Sequence, residues 1–111
     1  MTKKIKFTES SGNVYADLGF KNAREMLVKA DLARIINQSI TERALTQVEA
    51  AKILGINQPK VSAIANGRLT EFSIERLIDF LNKLDLDVEI SIHQKPKRAK
   101  RAASFTVAIT S

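Results

Sequence analysis

The sequence predicts a mainly α-helical protein, built as one bundle of four to five helices with short β segments in its terminal arms. Helical periodicity of apolar residues runs almost unbroken from residue 22 to residue 84. Capping residues and glycines divide that stretch into short helices, and apolar residues alternate at period two near both ends of the chain. A chain of 111 residues suffices for one compact domain with modest arms.

Changes in composition divide the chain into three parts. These are an N-terminal arm (residues 1–21), a helical domain (22–84), and a strand plus basic C-terminal arm (85–111). The N-terminal arm is polar, with a brief alternation at Ile5 and Phe7. In the C-terminal arm, alternation predicts half-buried strands around residues 88–92 and 105–109. The alternating apolar residues are Val88, Ile90, Ile92, Phe105, Val107 and Ile109.

Local signals bound the first and fourth helices. Asn22 is a good N-cap residue, and Glu25 three positions later completes a capping box. The first helix is therefore expected to begin after Asn22 and to end near Arg43. The fourth helix is expected to start at Ser73 as N-cap. The predicted apolar faces are Leu32, Ile35, Ile36 and Ile40 in the first helix, and Ile74, Leu77, Ile78, Leu81 and Leu84 in the fourth.

The second and third helices are short and closely spaced. Thr46 followed by Glu49 forms another capping-box pattern, which starts a helix that stops at Gly55. The third helix is expected to begin around residues 57–59, because proline is tolerated in a first turn. It should close at residues 66–67, where glycine can take a left-handed conformation.

The spacing of these two helices indicates that they cross in close contact. Ala51 is small enough to let them approach, Gly55 suits a turn with positive φ, and Ile56 can fill the corner. The inner face of the third helix is expected to be Val61, Ile64 and Ala65. Its opposite face is then free to enter the major groove of DNA.

Charge favours a nucleic-acid partner. The formal net charge is +6 at a sequence pI of about 9.8, which favours a polyanionic ligand, although many small basic domains bind no such ligand. The chain has no cysteine, so it forms neither a disulfide nor a thiolate zinc site. No apolar run approaches the roughly 18 residues of a membrane span, and no signal-peptide core follows the N-terminus. We expect a cytoplasmic protein without a membrane partner.

No catalytic constellation is visible, so the sequence indicates no enzyme, no cofactor and no metal site. The single histidine, His93, lies on the polar side of a predicted strand. Glu71, Glu75 and Asp79 are interpreted as the solvated face and first turn of the fourth helix. No nucleophile, base and orienting group converge.

Residues 47–67, QVEAAKILGINQPKVSAIANG, resemble the helix-turn-helix of the Cro/phage-repressor (XRE) family nearly throughout. The resemblance implies a lambda-repressor-like helix-turn-helix bundle. It also implies that a homodimer binds a double-stranded DNA operator and commonly represses its own operon. The flanking residues 12–19 and 87–90 resemble the HigA-like antitoxin branch, whose partner is a small ribonuclease toxin of the RelE/HigB type.

The resemblance and a helical projection together assign candidate DNA contacts. The predicted base-reading residues are Gln58, Pro59, Lys60, Ser62 and Ala63, and the predicted phosphate-binding residues are Thr46, Gln47, Asn66 and Arg68. Neither Pro59 nor Ala63 can form a side-chain hydrogen bond, although Ala63 can meet a thymine methyl group. Direct readout is thus concentrated in Gln58, Lys60 and Ser62. We therefore expect dimerisation and DNA shape to supply much of the specificity.

Two features of the arms have two interpretations each. The basic residues Lys95, Lys97, Arg98, Lys100 and Arg101 form either a DNA-binding arm or a solubilising tail. The two predicted strands either pair within or between subunits, or add to the sheet edge of a toxin. We therefore expect the protein to be a DNA-binding repressor and, more specifically, the antitoxin of a toxin–antitoxin module. The alternatives are a stand-alone phage-type regulator and a protein-interaction module that keeps the scaffold without reading DNA.

Overall fold

A computed structural model of the protein describes residues 2–5, 23–100 and 106–110. The helices in these ranges are α1 (Ala23–Glu42), α2 (Gln47–Leu54), α3 (Gln58–Ala65) and α4 (Ile74–Lys83). The strands are β1 (Thr2–Ile5) and β2 (Val107–Thr110). The predicted mainly helical bundle with short β segments in the arms is confirmed. The predicted bounds of the first three helices and the predicted start of the fourth agree with the structure. The predicted N-cap of α1, Asn22, lies outside the described residues.

One main core lies among the four helices, and it is mostly aliphatic. Its largest fully buried side chains are Phe80, Ile36, Leu54, Ile64 and Leu77. A smaller cluster of Ala50, Ala51 and Val61 joins α2 to α3. This second cluster holds the two short helices against each other.

The four helices end in the same way, at a residue with left-handed backbone. These residues are Ala44 (φ 53°), Gly55 (φ 72°), Gly67 (φ 74°) and Asp85 (φ 62°). After α1, the Leu45 N–H reaches back to the Ile40 carbonyl at 3.1 Å, which closes a Schellman-type turn. The glycine ends were predicted, whereas the two ends without glycine carry no comparable sequence signal. A side chain in this conformation costs about 1–2 kcal/mol.

We expect Ala44→Gly to raise the free energy of unfolding by about 1 kcal/mol, because glycine adopts positive φ without steric cost. The matched control is Ala30→Gly, at an exposed position inside α1, where the same change should lower stability by about 1 kcal/mol. Chemical denaturation followed by circular dichroism measures both variants. If both substitutions changed the free energy of unfolding in the same direction, the expectation would be contradicted.

The two arms meet in a small antiparallel sheet. β1 pairs with β2, with Ile5 opposite Val107 and Thr2 opposite Thr110. Val107 also packs against the main core. The predicted strand around residues 105–109 is thus confirmed for its described part, and its pairing is within the chain. Phe7 and Phe105 lie outside the described residues.

The predicted half-buried strand at residues 88–92 is wrong for the single chain. This segment has no regular secondary structure, and Ile90 and Ile92 are 75% and 93% exposed. A strand needs a neighbour for its backbone hydrogen bonds and a surface for its apolar face. Within the described part of the chain, residues 88–92 have no such neighbour.

Asp31 is a carboxylate buried on α1. Its side chain is 11% exposed, and its Oδ1 lies 3.7 Å from Arg34 Nη2. Its Oδ2 has no hydrogen-bond partner among the described residues. Burial raises the pKa of Asp31, and the charge of Arg34 offsets this only in part. The ionised carboxylate therefore opposes folding at neutral pH.

We expect Asp31→Asn to raise the free energy of unfolding at neutral pH. Because the folded-state pKa is raised, the Asp31 carboxyl does not destabilise the fold below its ordinary pKa of 3.8. Its destabilising effect grows as the pH rises from there to the folded-state pKa, and it is complete above that pKa. The advantage of asparagine should therefore fade in acid, which urea unfolding at several pH values measures. The control is Asp79→Asn, which removes an exposed pair with Lys83 and should show no gain at neutral pH. A stabilisation by Asp31→Asn that persists undiminished in acid would count against this account.

Candidate nucleic-acid interface

The N-terminus of α2 is held by a complete capping box. Thr46 Oγ1 accepts the Glu49 N–H at 3.1 Å, and Glu49 Oε1 accepts the Thr46 N–H at 2.8 Å. These bonds lower the pKa of Glu49, first through the Thr46 backbone N–H and then through the Thr46 side chain. The carboxylate therefore stays ionised beside the helix end.

The same helix end still offers donors to an anion. The backbone N–H groups of Gln47 and Val48 have no partner within the described ranges, and both residues are exposed. The Thr46 side chain and backbone N–H are both engaged with Glu49, so the free donors at this helix end are the N–H groups of Gln47 and Val48. Thr46 and Gln47 thus lie where a phosphate is favoured by free N–H groups and by the helix dipole. Glu49 opposes this attraction in part.

A tight turn sets the angle between α2 and α3. Gly55 and Ile56 both donate their N–H to the Ala51 carbonyl, at 2.8 and 3.1 Å. A Cβ on Gly55 would meet only Lys83 Nζ at an ordinary 3.5 Å, so positive φ rather than space requires glycine here. The prediction that Gly55 takes positive φ is confirmed.

Lys83 of α4 is a positioning residue that the sequence did not single out. Its Nζ donates to the Leu54 carbonyl at 3.3 Å and pairs with Asp79 Oδ2 at 3.3 Å. A cation at this position satisfies one free carbonyl at the C-terminus of α2 and complements the helix dipole. The helix-turn-helix is thereby tied to the helix that follows it.

The N-terminus of α3 presents side chains rather than free backbone donors. Asn57 is its N-cap, and Asn57 Oδ1 accepts the Lys60 N–H at 3.0 Å. Pro59 has no N–H, which leaves only the Gln58 N–H unpaired in the first turn. Gln58, Pro59 and Lys60 are all exposed. This helix end is therefore better suited to reading bases with side chains than to holding a phosphate.

The predicted orientation of α3 is wrong at two alanines. Ala63, predicted to face the groove, is only 7% exposed and belongs to the main core, whereas Ala65, predicted to face inward, is exposed. The cause is that α3 packs against the main core through Ala63 and Ile64 and against the α2 cluster through Val61. The buried part of the surface of α3 is therefore wider than the single apolar face that the sequence predicts. In this fold Ala63 is not available to contact a thymine methyl group.

The rotation of α3 separates the remaining candidates. At 100° per residue, Gln58, Ser62 and Ala65 fall on one strip, with Asn66 beside it. Gln58, Ala65 and Asn66 are exposed, and Ser62 lies half-buried between them. Lys60 falls on the side of Ala63 and Ile64, although Lys60 itself is exposed. Lys60 therefore points away from the centre of that strip.

Ser62 and Asn66 are linked to each other at the end of α3. Asn66 Nδ2 donates to the Ser62 carbonyl at 2.8 Å and to Ser62 Oγ at 3.3 Å. Ser62 is half-buried. A contact from the amide of Asn66 to a phosphate would have to replace these bonds.

Beyond α3, the chain closes a Schellman motif that presents Arg68. Gly67 and Arg68 donate to the Ile64 and Ala63 carbonyls at 3.2 and 2.9 Å. The side chain of Arg68 is exposed and forms no ion pair within the described ranges. On α1, Asn37 Nδ2 also donates to the Ile64 carbonyl at 3.1 Å. Asn37 was not predicted, and it fixes the C-terminal end of α3.

Two exposed residues of α2 extend this surface beyond the predicted set. Val48 is 50% exposed, although it is apolar, and Lys52 is exposed in the last turn. The spacing of apolar residues gives no signal for an exposed valine. Residues 46–68 contain three cations, Lys52, Lys60 and Arg68, against the single carboxylate Glu49. The surface is therefore weakly cationic.

The basic arm contains a turn. The Ala99 N–H donates to the Pro96 carbonyl at 3.0 Å, and Lys95 Nζ donates to the Ala99 carbonyl at 3.1 Å. Three further basic side chains around this turn are exposed, namely Lys97, Arg98 and Lys100. Arg101 lies outside the described residues.

No helix in the described ranges is long and apolar enough to cross a membrane. The same ranges contain no group of three or more potential metal-ligating side chains.

Comparisons with known proteins agree with this geometry. A family described as "Helix-turn-helix domain" matches residues 14–93. A solved structure described as "Putative XRE Family Transcriptional Regulator" is 50% identical, with a TM-score of 0.73, and the match covers 78% of this chain and 96% of that chain. None of the curated proteins matches. The chain therefore belongs to the XRE-type family of helix-turn-helix transcriptional regulators.

Proposed function

We propose that the protein is a sequence-specific repressor that binds a double-stranded DNA operator as a homodimer. The observation that carries this proposal is the exposed strip of α3 around Gln58. It has no acidic residue, and the N-terminus of α2, with free N–H groups, belongs to the same two-helix unit. A helix placed in the major groove by a second helix on the backbone is the docking geometry of this motif.

The candidate residues divide by role. Gln58 is the principal base reader, because it is exposed on the strip and can form a bidentate contact with adenine. The first turn of α2 at Thr46 and Gln47 binds one phosphate through the Gln47 side-chain amide and the free backbone N–H groups of Gln47 and Val48. Lys60 and Arg68 lie to either side and neutralise phosphates. Pro59 contributes only van der Waals contact, and Ser62 reads a base only when its link to Asn66 opens.

With so few donors for each half-site, two half-sites are required for a specific operator. Each good bidentate contact discriminates by about 1–3 kcal/mol, whereas specific binding exceeds non-specific binding by about 4–10 kcal/mol. A homodimer doubles the direct code, and DNA shape at the bases between half-sites adds to it.

A gel-shift assay with the promoter of the protein's own gene tests the proposal. We expect a retarded complex whose affinity falls as salt rises, because bound phosphates release counterions. Replacing Lys97, Arg98, Lys100 and Arg101 by alanine should flatten that salt dependence if the basic arm binds phosphates. An unchanged slope would identify the arm as a solubilising tail. No retardation even at low salt would favour the interaction-module alternative.

The more specific proposal is that this repressor is the antitoxin of a toxin–antitoxin module that represses its own operon. The support is the likeness of residues 12–19 and 87–90 to the HigA-like branch and the small sheet of β1 and β2. In a two-stranded sheet each strand keeps one unpaired edge, to which a RelE/HigB-type toxin could add a strand.

Co-expression with the product of an adjacent reading frame tests this proposal. We expect co-purification of the two chains, and its loss when residues 106–110 are deleted. Circular dichroism should show that the truncated chain keeps its helices. A truncated chain that still binds the toxin would place the contact elsewhere, and a gene without a toxin neighbour would indicate a stand-alone regulator.

A further inference from the structure

Residues 86–94 form a segment of alternating apolar and polar residues that pairs with no strand in the described part of the chain. They follow α4 without regular secondary structure. Val88, Ile90 and Ile92 are 36%, 75% and 93% exposed. Three large aliphatic side chains exposed in so short a segment are unusual for a surface that faces only water.

The apolar positions of this segment would share one face in an extended conformation. Alternation places Leu86, Val88, Ile90 and Ile92 on one side and Asp87, Glu89, Ser91 and His93 on the other. Leu86 already packs against the main core. The exposed face therefore continues an apolar surface that begins in the core.

We propose that residues 86–94 pair antiparallel with the same residues of a second copy of the chain, with Ile90 on the two-fold axis. This inference rests on the proposed function, because it names the surface that joins the homodimer. The partner is a second copy because the pattern of the segment complements itself.

Apolar matching selects the register. With Ile90 opposite Ile90, Val88 lies opposite Ile92 of the second copy, and every central pair on the apolar face is aliphatic. A shift of one residue would pair the apolar face with the polar face. A shift that centres Ser91 would set Val88 against Gln94.

Charge excludes the other competing arrangements. A register centred on Glu89 would place two carboxylates directly opposite each other, which is destabilising. Parallel pairing in register would likewise set Asp87 against Asp87. With Ile90 on the axis, Asp87 instead lies directly opposite His93 of the second copy and diagonal to Lys95 of that copy. The two-fold axis repeats this contact, so it occurs twice in the dimer.

Analytical ultracentrifugation of the full chain without DNA tests the interface. We expect a dimer for the natural sequence. Ile90→Lys should weaken the affinity between the two copies by about 100-fold or more, since a central apolar contact is lost in both copies. The matched control is Ser91→Lys, which places the same charge on the polar face opposite Glu89 and should leave the dimer intact. Circular dichroism checks that both variants keep their helices. A monomeric natural chain, or a dimer that survives Ile90→Lys, would overturn the inference.

Cysteine cross-linking tests the register, and the chain has no natural cysteine to interfere. Ile90→Cys should form a disulfide-linked dimer on mild oxidation, because residues directly opposite have Cβ atoms about 4.5–5.5 Å apart. Ile92→Cys should not cross-link with itself, because its two copies would lie about 13 Å apart along the strands. Mixing Val88→Cys with Ile92→Cys should restore the link. Efficient linkage of Ile92→Cys alone would contradict the register.

The outcome is separable from that of the proposed function. Neither measurement uses DNA, and the gel shift of the natural chain is scored independently. If the interface tests fail and the natural chain still retards the promoter, only this inference is refuted. If Ile90→Cys forms a linked dimer but the chain never retards the promoter, the proposed repressor function is refuted instead.

Discussion

Replacing Phe80 by alanine is expected to lower the free energy of unfolding by about 3–5 kcal/mol. Phe80 is fully buried at the centre of the core. Its ring makes an edge-to-face contact with Phe72 at 5.9 Å between centroids, and the Arg76 guanidinium lies 5.3 Å from its centroid. Alanine would remove these contacts and leave a cavity. For a domain of this size the melting temperature should fall by about 15–30 °C, as measured by thermal circular dichroism.

Phe80→Leu is the matched control, because leucine refills most of the space but provides no aromatic ring. It should destabilise the fold less than alanine does. Arg76→Gln removes only the cation above the ring and should cost about 0.5–1 kcal/mol. A melting temperature of Phe80→Ala within a few degrees of the natural chain would show that the core does not depend on this ring.

Gln58→Ala is expected to weaken operator binding by about 1–3 kcal/mol per half-site, or about 5- to 150-fold, because a bidentate base contact is lost. The loss should depend on sequence, since the variant no longer distinguishes the base that Gln58 reads. Binding to a panel of operators with single substitutions measures both effects. The fold should not change, because Gln58 is exposed and forms no side-chain hydrogen bond within the described ranges.

Two other glutamines provide controls of the same chemical change. Gln47→Ala should lower affinity for all operators alike, because a phosphate contact carries no sequence information. Gln38→Ala, on α1 where Gln38 Nε2 donates to Glu42 at 3.0 Å, should leave binding unaltered. If Gln58→Ala lowered affinity without altering the preferred operator, the base-reading role assigned to Gln58 would be refuted.

The bounds of the helices could be predicted because local chemistry determines them. Thr46 with Glu49 forms the capping box, and Gly55 and Gly67 supply the left-handed ends. Each signal acts over a few residues and does not depend on the rest of the fold. The ends at Ala44 and Asp85 lack this signal. Both residues are exposed, and the leucine that follows each of them, Leu45 or Leu86, packs against the main core.

The orientation of α3 could be predicted only in part. Ala63 and Ala65 have the same hydrophobicity, so periodicity does not determine which of them is buried. The answer depends on the α2 cluster and on the main core, which contact α3 from two directions. Residues that act at a distance in sequence were missed for the same reason. Lys83 and Asn37 serve the helix-turn-helix through carbonyls 29 and 27 positions away.

The pairing of β1 with β2 has a consequence for the order of folding. It joins Ile5 to Val107, about 100 positions apart, while the helices and their turns close over short distances. Loops of this length carry a large closure entropy, and contacts of long sequence separation form slowly. The helical domain should therefore assemble first and the sheet last, and in the native state the sheet should open before the helices do. A protein partner that binds the sheet could thus be gained or lost while the helix-turn-helix stays folded.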